Sequence, residues 1–288
     1  MNEKVWTIKE ILLWTHNYFS SKKIDSPRLT AELLLSKVLN IDRISLYTNF
    51  DKPLSKDELS NFKQLIKRRI SGEPTAYILG EKEFWSLKFK VNKHTLIPRP
   101  ETEILVEKVV EYVNSINTPV SILEIGTGSG NIAVSLAKEL QNSTIFSIDI
   151  SLEALKIAKF NSKKHNVSER VFFINSNITD SLKNIKYFDI IVSNPPYIKS
   201  NSIDKLQVEI KDFEPLSALN GGSDGLKFYI EILKKAKSFL KENGKIFFEV
   251  GDRPQGKEVV NIAEKLGFFE AVLFNDYSNL TRVFSCKI

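Results

Sequence analysis

The chain has 288 residues, 42% hydrophobic and 26% charged, which excludes a disordered polymer and allows one large domain plus a small one. No run approaches the roughly 20 apolar residues of a membrane span. The opening segment, Met1 to Glu10, has acidic residues and no apolar leader core, so a cytoplasmic protein with no membrane partner is expected. The single cysteine, Cys286, and three scattered histidines exclude a disulfide and make a metal site unexpected, while a net charge of +6 is a mild bias toward anionic partners that a solvated surface also explains.

Residues 1–75 read as a small helical domain. Thr7 is placed to cap a helix carrying Ile8, Ile11, Leu12 and Leu13. Ser26-Pro27 starts a second helix with Leu29, Leu33, Leu34 and Val38 on one face, and Ser55 caps a third with Leu59, Phe62, Leu65, Ile66 and Ile70 inward. No acids, histidines or glycines cluster there, so the domain is read as a packed substrate-recognition module. Gly72-Glu73-Pro74 breaks the helical pattern. Phe84, Leu87, Phe89 and Val91 then alternate as strands do, making residues 76–100 a hairpin linker. From residue 101 to 288 short apolar strands at 120–125, 144–149, 170–174, 188–193 and 244–250 alternate with helices, which predicts an α/β domain with a parallel sheet covered on both faces.

The first of these strands runs into Gly126-Thr127-Gly128-Ser129-Gly130 and then a helix. Such a turn brings backbone N–H groups close to a ligand at a helix N-terminus. A dinucleotide fingerprint would place its third glycine at position 131, where Asn131 stands, so hydride chemistry loses ground. Asp149 closes the second strand and is placed either to accept from ribose hydroxyls or to cap the next helix. Glu124 is read either as lying near the tail of the same ligand or as bracing the loop. The fourth strand ends at Asn194-Pro195-Pro196-Tyr197. Two prolines have no N–H and leave carbonyls as acceptors. A planar amide or amino nitrogen held by the Asn194 side-chain oxygen and the Pro195 carbonyl would have its lone pair oriented, with Tyr197 stacked on its plane.

An acid followed by Gly-x-Gly-x-Gly, with a later Asn-Pro-Pro-Tyr, resembles Rossmann-like class I S-adenosylmethionine-dependent amino methyltransferases. Phe84-Trp85-Ser86-Leu87, Leu96 through Glu103, and Phe213 through Leu219 are similar to the PrmC (HemK) family of release factor glutamine methyltransferases, over essentially the whole chain. The resemblance implies methyl transfer from S-adenosyl-L-methionine, leaving S-adenosyl-L-homocysteine, to N5 of the glutamine in the Gly-Gly-Gln motif of class 1 peptide chain release factors. It implies cofactor contacts from Gly126, Thr127, Gly128, Ser129, Gly130, Asp149 and Asn194, to which Asn177 is added as an acceptor for the adenine amino group. Substrate contacts would come from Asn194, Pro195, Pro196 and Tyr197, with Asn194, Pro195 and Tyr197 catalytic. It also implies seven strands ordered 3-2-1-4-5-7-6, the last antiparallel. A departure stands at Asn177 and Ile178, where relatives often place an acidic and an aromatic residue near the adenine.

Arg99 and Glu101 either fasten the linker over the cofactor or make a salt bridge to the catalytic domain. Phe213, Glu214 and Pro215 form either a wall of the substrate mouth or a loop under a helix. Gly221, Gly222 and Gly225 are assigned no chemistry. The competing function is a nucleic-acid amino methyltransferase. It would need a basic surface, for which Lys67-Arg68-Arg69 is the nearest candidate and is read instead as a solvated helix end. A non-catalytic release-factor or ribosome-binding module would need none of the glycines, Asp149 or Asn194. A monomer without stable nucleic-acid binding is expected.

Overall fold

Thr7 and Ser55 each open a helix with a reciprocal cap: the hydroxyl accepts the N–H three residues on, and Glu10 or Glu58 accepts the cap residue's own N–H. In the computed structural model, which describes residues 5–288, these helices are α1 (Ile8–Ser21) and α4 (Lys56–Ile70). Residues 1–4 of the segment expected to lack a leader lie outside the described residues. Among those described, no helix is long and apolar enough to cross a membrane. The helices α2 (Pro27–Leu39), α3 (Arg43–Thr48) and α5 (Thr75–Leu79) follow the same packing. Together with Val208–Phe213, which carries a short helix α9 (Val208–Lys211), they form the first of two units, which ends at Gly80 rather than at residue 75.

Its core is Ile8, Phe19, Leu34, Leu35, Leu46 and Phe62, all buried. Some details differ from the sequence reading: Leu13 and Ile70, expected on the apolar faces, are exposed. Ser26 is left-handed and makes no side-chain cap, so Pro27, whose fixed φ suits a first helical position, sets the start of α2 alone. Leu29 is exposed because α2 turns Ala31, Leu34 and Leu35 inward instead. The Lys67–Arg69 run is a solvated end only in part: Lys67 and Arg68 are exposed, Arg68 pairing with Glu73, but Arg69 is buried and ion-paired with Glu209 of α9.

The second unit comprises residues 81–207 and 214–288. It opens with an antiparallel hairpin of β1 (Glu81–Phe84) and β2 (Leu87–Lys90), turned by Trp85 and Ser86 at φ 52° and 55°, the handedness that fits tight hairpins. The hairpin is therefore shorter than the expected linker. It belongs to this unit because Phe84 and Phe89 are buried in its core. There follow α6 (Glu103–Ile116), β3 (Ser121–Ile125), α7 (Asn131–Glu139), β4 (Thr144–Asp149), α8 (Leu152–Lys164), β5 (Val171–Asn175) and β6 (Phe188–Ser193). The chain closes with α10 (Lys227–Ala236), β7 (Leu240–Glu249), α11 (Arg253–Lys265), β8 (Phe269–Asn275) and β9 (Thr281–Lys287).

Seven of the strands form one sheet in the order β5-β4-β3-β6-β7-β9-β8, with only β9 antiparallel to its neighbours, which is the order the resemblance implied. Adjacent residues on one strand feed opposite cores. Ile122, Ile190 and Phe247 join α6 and α7 on one face, and Leu123, Ile191 and Phe248 join α10 and α11 on the other. That is why these strands read as unbroken apolar runs. β7 begins at Leu240, earlier than expected, because Leu240 pairs with Phe188 before residues 241–244 loop out and pairing resumes at Lys245.

One buried side chain fastens three parts of this unit. Asn161 of α8 accepts the Lys90 N–H at 2.8 Å and donates to the carbonyls of Lys90 and Ser129 at 3.0 and 2.8 Å. It docks the hairpin and the loop after β3 on one helix. Asn161→Ala leaves three backbone groups without partners and is expected to destabilise the unit by about 2–4 kcal/mol, read from the urea midpoint at unchanged m. A loss under about 1 kcal/mol would mean that water replaces the amide.

Candidate active site

β3 and β6 lie side by side and parallel, with Ile125 opposite Ser193. The Ser193 hydroxyl donates to the Ile125 carbonyl at 2.5 Å, so the two strands end in register. The glycine-rich loop leaves the first and Asn194-Pro195-Pro196 leaves the second. They approach closely enough that a Cβ on Gly126 would lie 3.9 Å from the Asn194 carbonyl oxygen. Between them and the loops beyond lies a cavity of about 640 Å³.

The loop is held from beneath. The N–H groups of Gly126 and Thr127 both donate to the Ile148 carbonyl, at 2.8 and 3.0 Å. Gly126 and Gly128 have φ of 87° and 55°, a region that side chains rarely adopt. A Cβ on Gly128 would meet nothing within 4 Å, so its open side is available to a ligand. Under the loop, Glu124 is fully buried and its Oε2 accepts from the hydroxyls of Thr127 and Ser147. Burial pushes its carboxyl up to about 8, so it sits neutral near pH 7. It does not line the cavity; of the two roles open to it, tail contact or brace, the geometry matches the brace.

Asp149, at the end of β4, accepts the Gly128 N–H on Oδ2 and the Ser151 N–H on Oδ1, both at 2.8 Å. Ser151 itself caps α8, so Asp149 is not the cap. Burial raises the Asp149 pKa while the backbone N–H groups oppose that rise. Each oxygen has accepted one hydrogen and retains lone-pair capacity, the arrangement that accepts a vicinal diol. Asn177 and Ile178 line the same end of the cavity, and the Asn177 amide nitrogen is engaged with Asp180 at 3.1 Å.

The expected residues are thus largely brought together: Gly126, Thr127, Gly128, Ser129, Asp149, Asn177, Asn194, Pro195 and Pro196 all line the cavity. Two are not. Gly130 makes the left-handed turn into α7, where a Cβ would stand 3.0 Å from that of Ala158. Tyr197 faces away from the cavity, its ring against Gly251 and its hydroxyl 3.5 Å from Glu249 Oε1. Burial raises its pKa. A ring so placed backs the tip and does not stack on a bound group.

Other side chains, not singled out from the sequence, shape the tip. The Asn194 amide nitrogen donates to Thr102 Oγ1 at 3.2 Å. Gln255 donates to the carbonyls of Tyr197 and Gly225, each at 3.1 Å, and accepts the Gly251 N–H at 2.9 Å. A Cβ on Gly221 would stand 2.7 Å from the Pro196 carbonyl oxygen, which gives that glycine a packing role. Thr102 lies inside the Leu96 to Glu103 motif, but nothing local marks Gln255. Arg99 lines the cavity while paired with Glu214 at 2.5 Å, and Glu214 also accepts the Ile97 N–H at 3.0 Å. The salt-bridge reading of Arg99 therefore holds. Glu214 is a buried clamp, Pro215 lines the cavity, and Phe213 falls in the first unit.

Known proteins share both parts of the chain. Residues 10–80 match the PrmC N-terminal domain and residues 116–267 match a methyltransferase domain. A methyltransferase of Pyrococcus furiosus has the same fold, with a TM-score of 0.52 at 19% identity, covering 79% of this chain and 98% of that one. The release factor glutamine methyltransferase of Geobacter sulfurreducens is 39% identical over 100% of both chains. That of Rhodopirellula baltica is 37% identical over 99% of this chain and 98% of its own. With a methyltransferase sheet, a matching N-terminal domain and full-length likeness at this level, the chain belongs to the release factor glutamine methyltransferase family.

Proposed function

We propose that this protein methylates N5 of the glutamine side chain in the Gly-Gly-Gln motif of class 1 peptide chain release factors, using S-adenosylmethionine. The observation that carries the reading is the Asn194-Pro195-Pro196 tip, a set of acceptors with no backbone N–H at either proline, set beside a glycine loop at the carboxyl ends of two parallel strands. Full-length relatives of the same name support the substrate.

The residues present fit the cofactor. Gly126 and Gly128 leave room at the backbone that any side chain would fill, and Asp149 is anchored by two N–H groups with acceptor capacity to spare for ribose hydroxyls. Asn177 offers its side-chain oxygen to an adenine amino group. When bound, S-adenosylmethionine supplies an electrophilic methyl group on a sulfonium; a C–N bond forms as the C–S bond breaks, and the amide proton leaves to solvent. The protein's own task is to orient a poor nucleophile. Asn194 Oδ1 and the Pro195 carbonyl accept the two amide hydrogens and so aim the nitrogen, while the enclosing loops exclude water. No protein base is required, because a neutral nitrogen attacks a cationic donor.

The helical unit is the proposed grip on the release factor. We place no nucleic acid in the cycle, because the basic run at Lys67–Arg69 has Arg68 and Arg69 neutralised by Glu73 and Glu209. A single copy of the chain is the proposed active form, since every residue given a role in cofactor binding or methyl transfer lies on the second unit.

Three measurements test this. Labelled S-adenosylmethionine is offered with an unmodified release factor, with its Gln→Ala variant in the Gly-Gly-Gln motif, with ribosomal RNA and with duplex DNA. Label on the native factor alone is expected, and label on a nucleic acid would replace the substrate. Asp149→Ala is expected to weaken cofactor binding roughly 10- to 100-fold by calorimetry, about the worth of one hydrogen bond to a charged group. Near-normal affinity removes the ribose assignment. Asn194→Ala is expected to cut kcat roughly 10²–10³-fold with cofactor affinity largely kept, by analogy with loss of one preorganised hydrogen-bonding group elsewhere.

A further inference from the structure

A side-chain amide has chemically opposite ends, and only one orientation of Asn194 offers an acceptor to a substrate N–H. Thr102 is the residue that decides which. Its hydroxyl, on a residue 2% exposed, accepts the Asn194 amide nitrogen at 3.2 Å. A hydroxyl that accepts still has one hydrogen to give, and in a buried position that hydrogen needs a partner.

Glu249 lies beside it at the end of β7, 2% exposed. Its Oε1 takes the Tyr197 hydroxyl at 3.5 Å, and its Oε2 is buried without a hydrogen-bond partner of good geometry. Thr102 draws the pKa of that carboxyl down, and the orphaned Oε2 is the acceptor left for its hydrogen. We propose that Thr102 and Glu249 are positioning residues that hold the Asn194 amide with its oxygen toward the substrate nitrogen. This rests on the glutamine reading of the site.

Donors and acceptors must balance around Asn194. An ionised carboxylate only accepts, so the Thr102 hydrogen points to Glu249 and its lone pairs face Asn194. Only the NH₂ end of Asn194 can satisfy them, which turns Oδ1 outward. A protonated Glu249 has a hydrogen of its own to give to Thr102. The Thr102 hydrogen is then released toward Asn194, the amide turns over, and its NH₂ opposes the substrate NH₂. Burial pushes Glu249 up to about 7; Thr102, Arg282 and Tyr197 pull it down and Glu101 pushes it further up. The productive orientation therefore gains population as pH rises through that value and is lost as pH falls.

The test uses the full chain as wild type, Thr102→Val, Thr102→Ser and Glu249→Gln, with an unmodified class 1 release factor at about pH 6 to 9. A second readout is the side-chain NH₂ signal of Asn194 by NMR, assigned by its absence in Asn194→Asp. Thr102→Val is expected to lower kcat at least ~10-fold with KM for the cofactor within about twofold, and Thr102→Ser to recover it within about threefold. The wild-type rate and the Asn194 signal are expected to titrate together, and Glu249→Gln to abolish both titrations. Thr102→Val with kcat within about threefold of wild type, or an unchanged pH limb and NMR titration in Glu249→Gln, overturns the proposal. Should wild type leave the factor unlabelled, the proposed substrate fails, while the NMR titration still decides the orientation.

Discussion

Everything at the site depends on one topological constraint, the reversal of strand order between β3 and β6. From β3 the chain first lays β4 and β5 to one side, then crosses back to place β6 on the other. The connections on the two sides diverge there, and a crevice opens at the carboxyl ends. The loop leaving β3 and the loop leaving β6 must then meet, however far apart they stand in sequence. The Ser193 to Ile125 hydrogen bond fixes the two ends level, and the glycine loop and the proline tip become the two walls of one cavity. A donor site and an acceptor site are adjacent for reasons of backbone connection before any side chain is chosen.

The second constraint is the cost of buried carboxyls, and the molecule treats three of them in two ways. Glu32, in the helical unit, is desolvated, but Tyr47, Arg28 and Arg43 hydrogen-bond to it and bring its pKa below the ordinary value. A lowered pKa means that its contribution to stability is present above the unfolded value and is lost as pH falls through the folded one. Glu124 and Glu249 have hydroxyl partners instead, and burial pushes them to about 8 and about 7. Hydroxyls do not repay the several kcal/mol that ionisation costs in such a place. The sign is then reversed: ionising these two works against the folded state as pH rises. Both stand at carboxyl ends of sheet strands, directly behind the two loops that line the cavity. A structural ion pair would have been the cheaper solution, so their position fits a role in shaping the loops.

Much of this was legible from sequence because it is local. Thr7 and Ser55 with a glutamate three residues on, the glycine loop ahead of a helix, and a proline pair at the end of an apolar run each carry their meaning within a few residues. The strand order came from family likeness, since periodicity alone does not order strands. What escaped was long-range. Asn161 bonds to Lys90, 71 residues away, and Gln255 to Tyr197, 58 residues away. An asparagine on a helix or a glutamine in a first turn looks like any solvated polar residue until the fold supplies its partner. Arg69 reads as part of a solvated helix end for the same reason, its partner Glu209 lying 140 residues on. Tyr197 erred in the opposite direction: its neighbours in the motif line the cavity, but Gly251 leaves a flat space behind the tip and the ring fills it.

That misplaced ring explains how an acceptor site made of backbone can be rigid. Prolines remove donors that would compete for the substrate's hydrogen-bonding partners, yet they also remove the N–H groups by which a turn is ordinarily tied down. The tip must be held from elsewhere. Gln255 supplies a donor to the Tyr197 carbonyl, Gly221 and Gly225 let their own backbone press against Pro196 and Tyr197, and the Tyr197 ring anchors the far side. The groups that face the cavity are left to accept, and those behind it do the fastening. In the proposed reading, acceptors held in this way need little reorientation when the substrate amide arrives, and preorganisation of that kind is a principal source of rate.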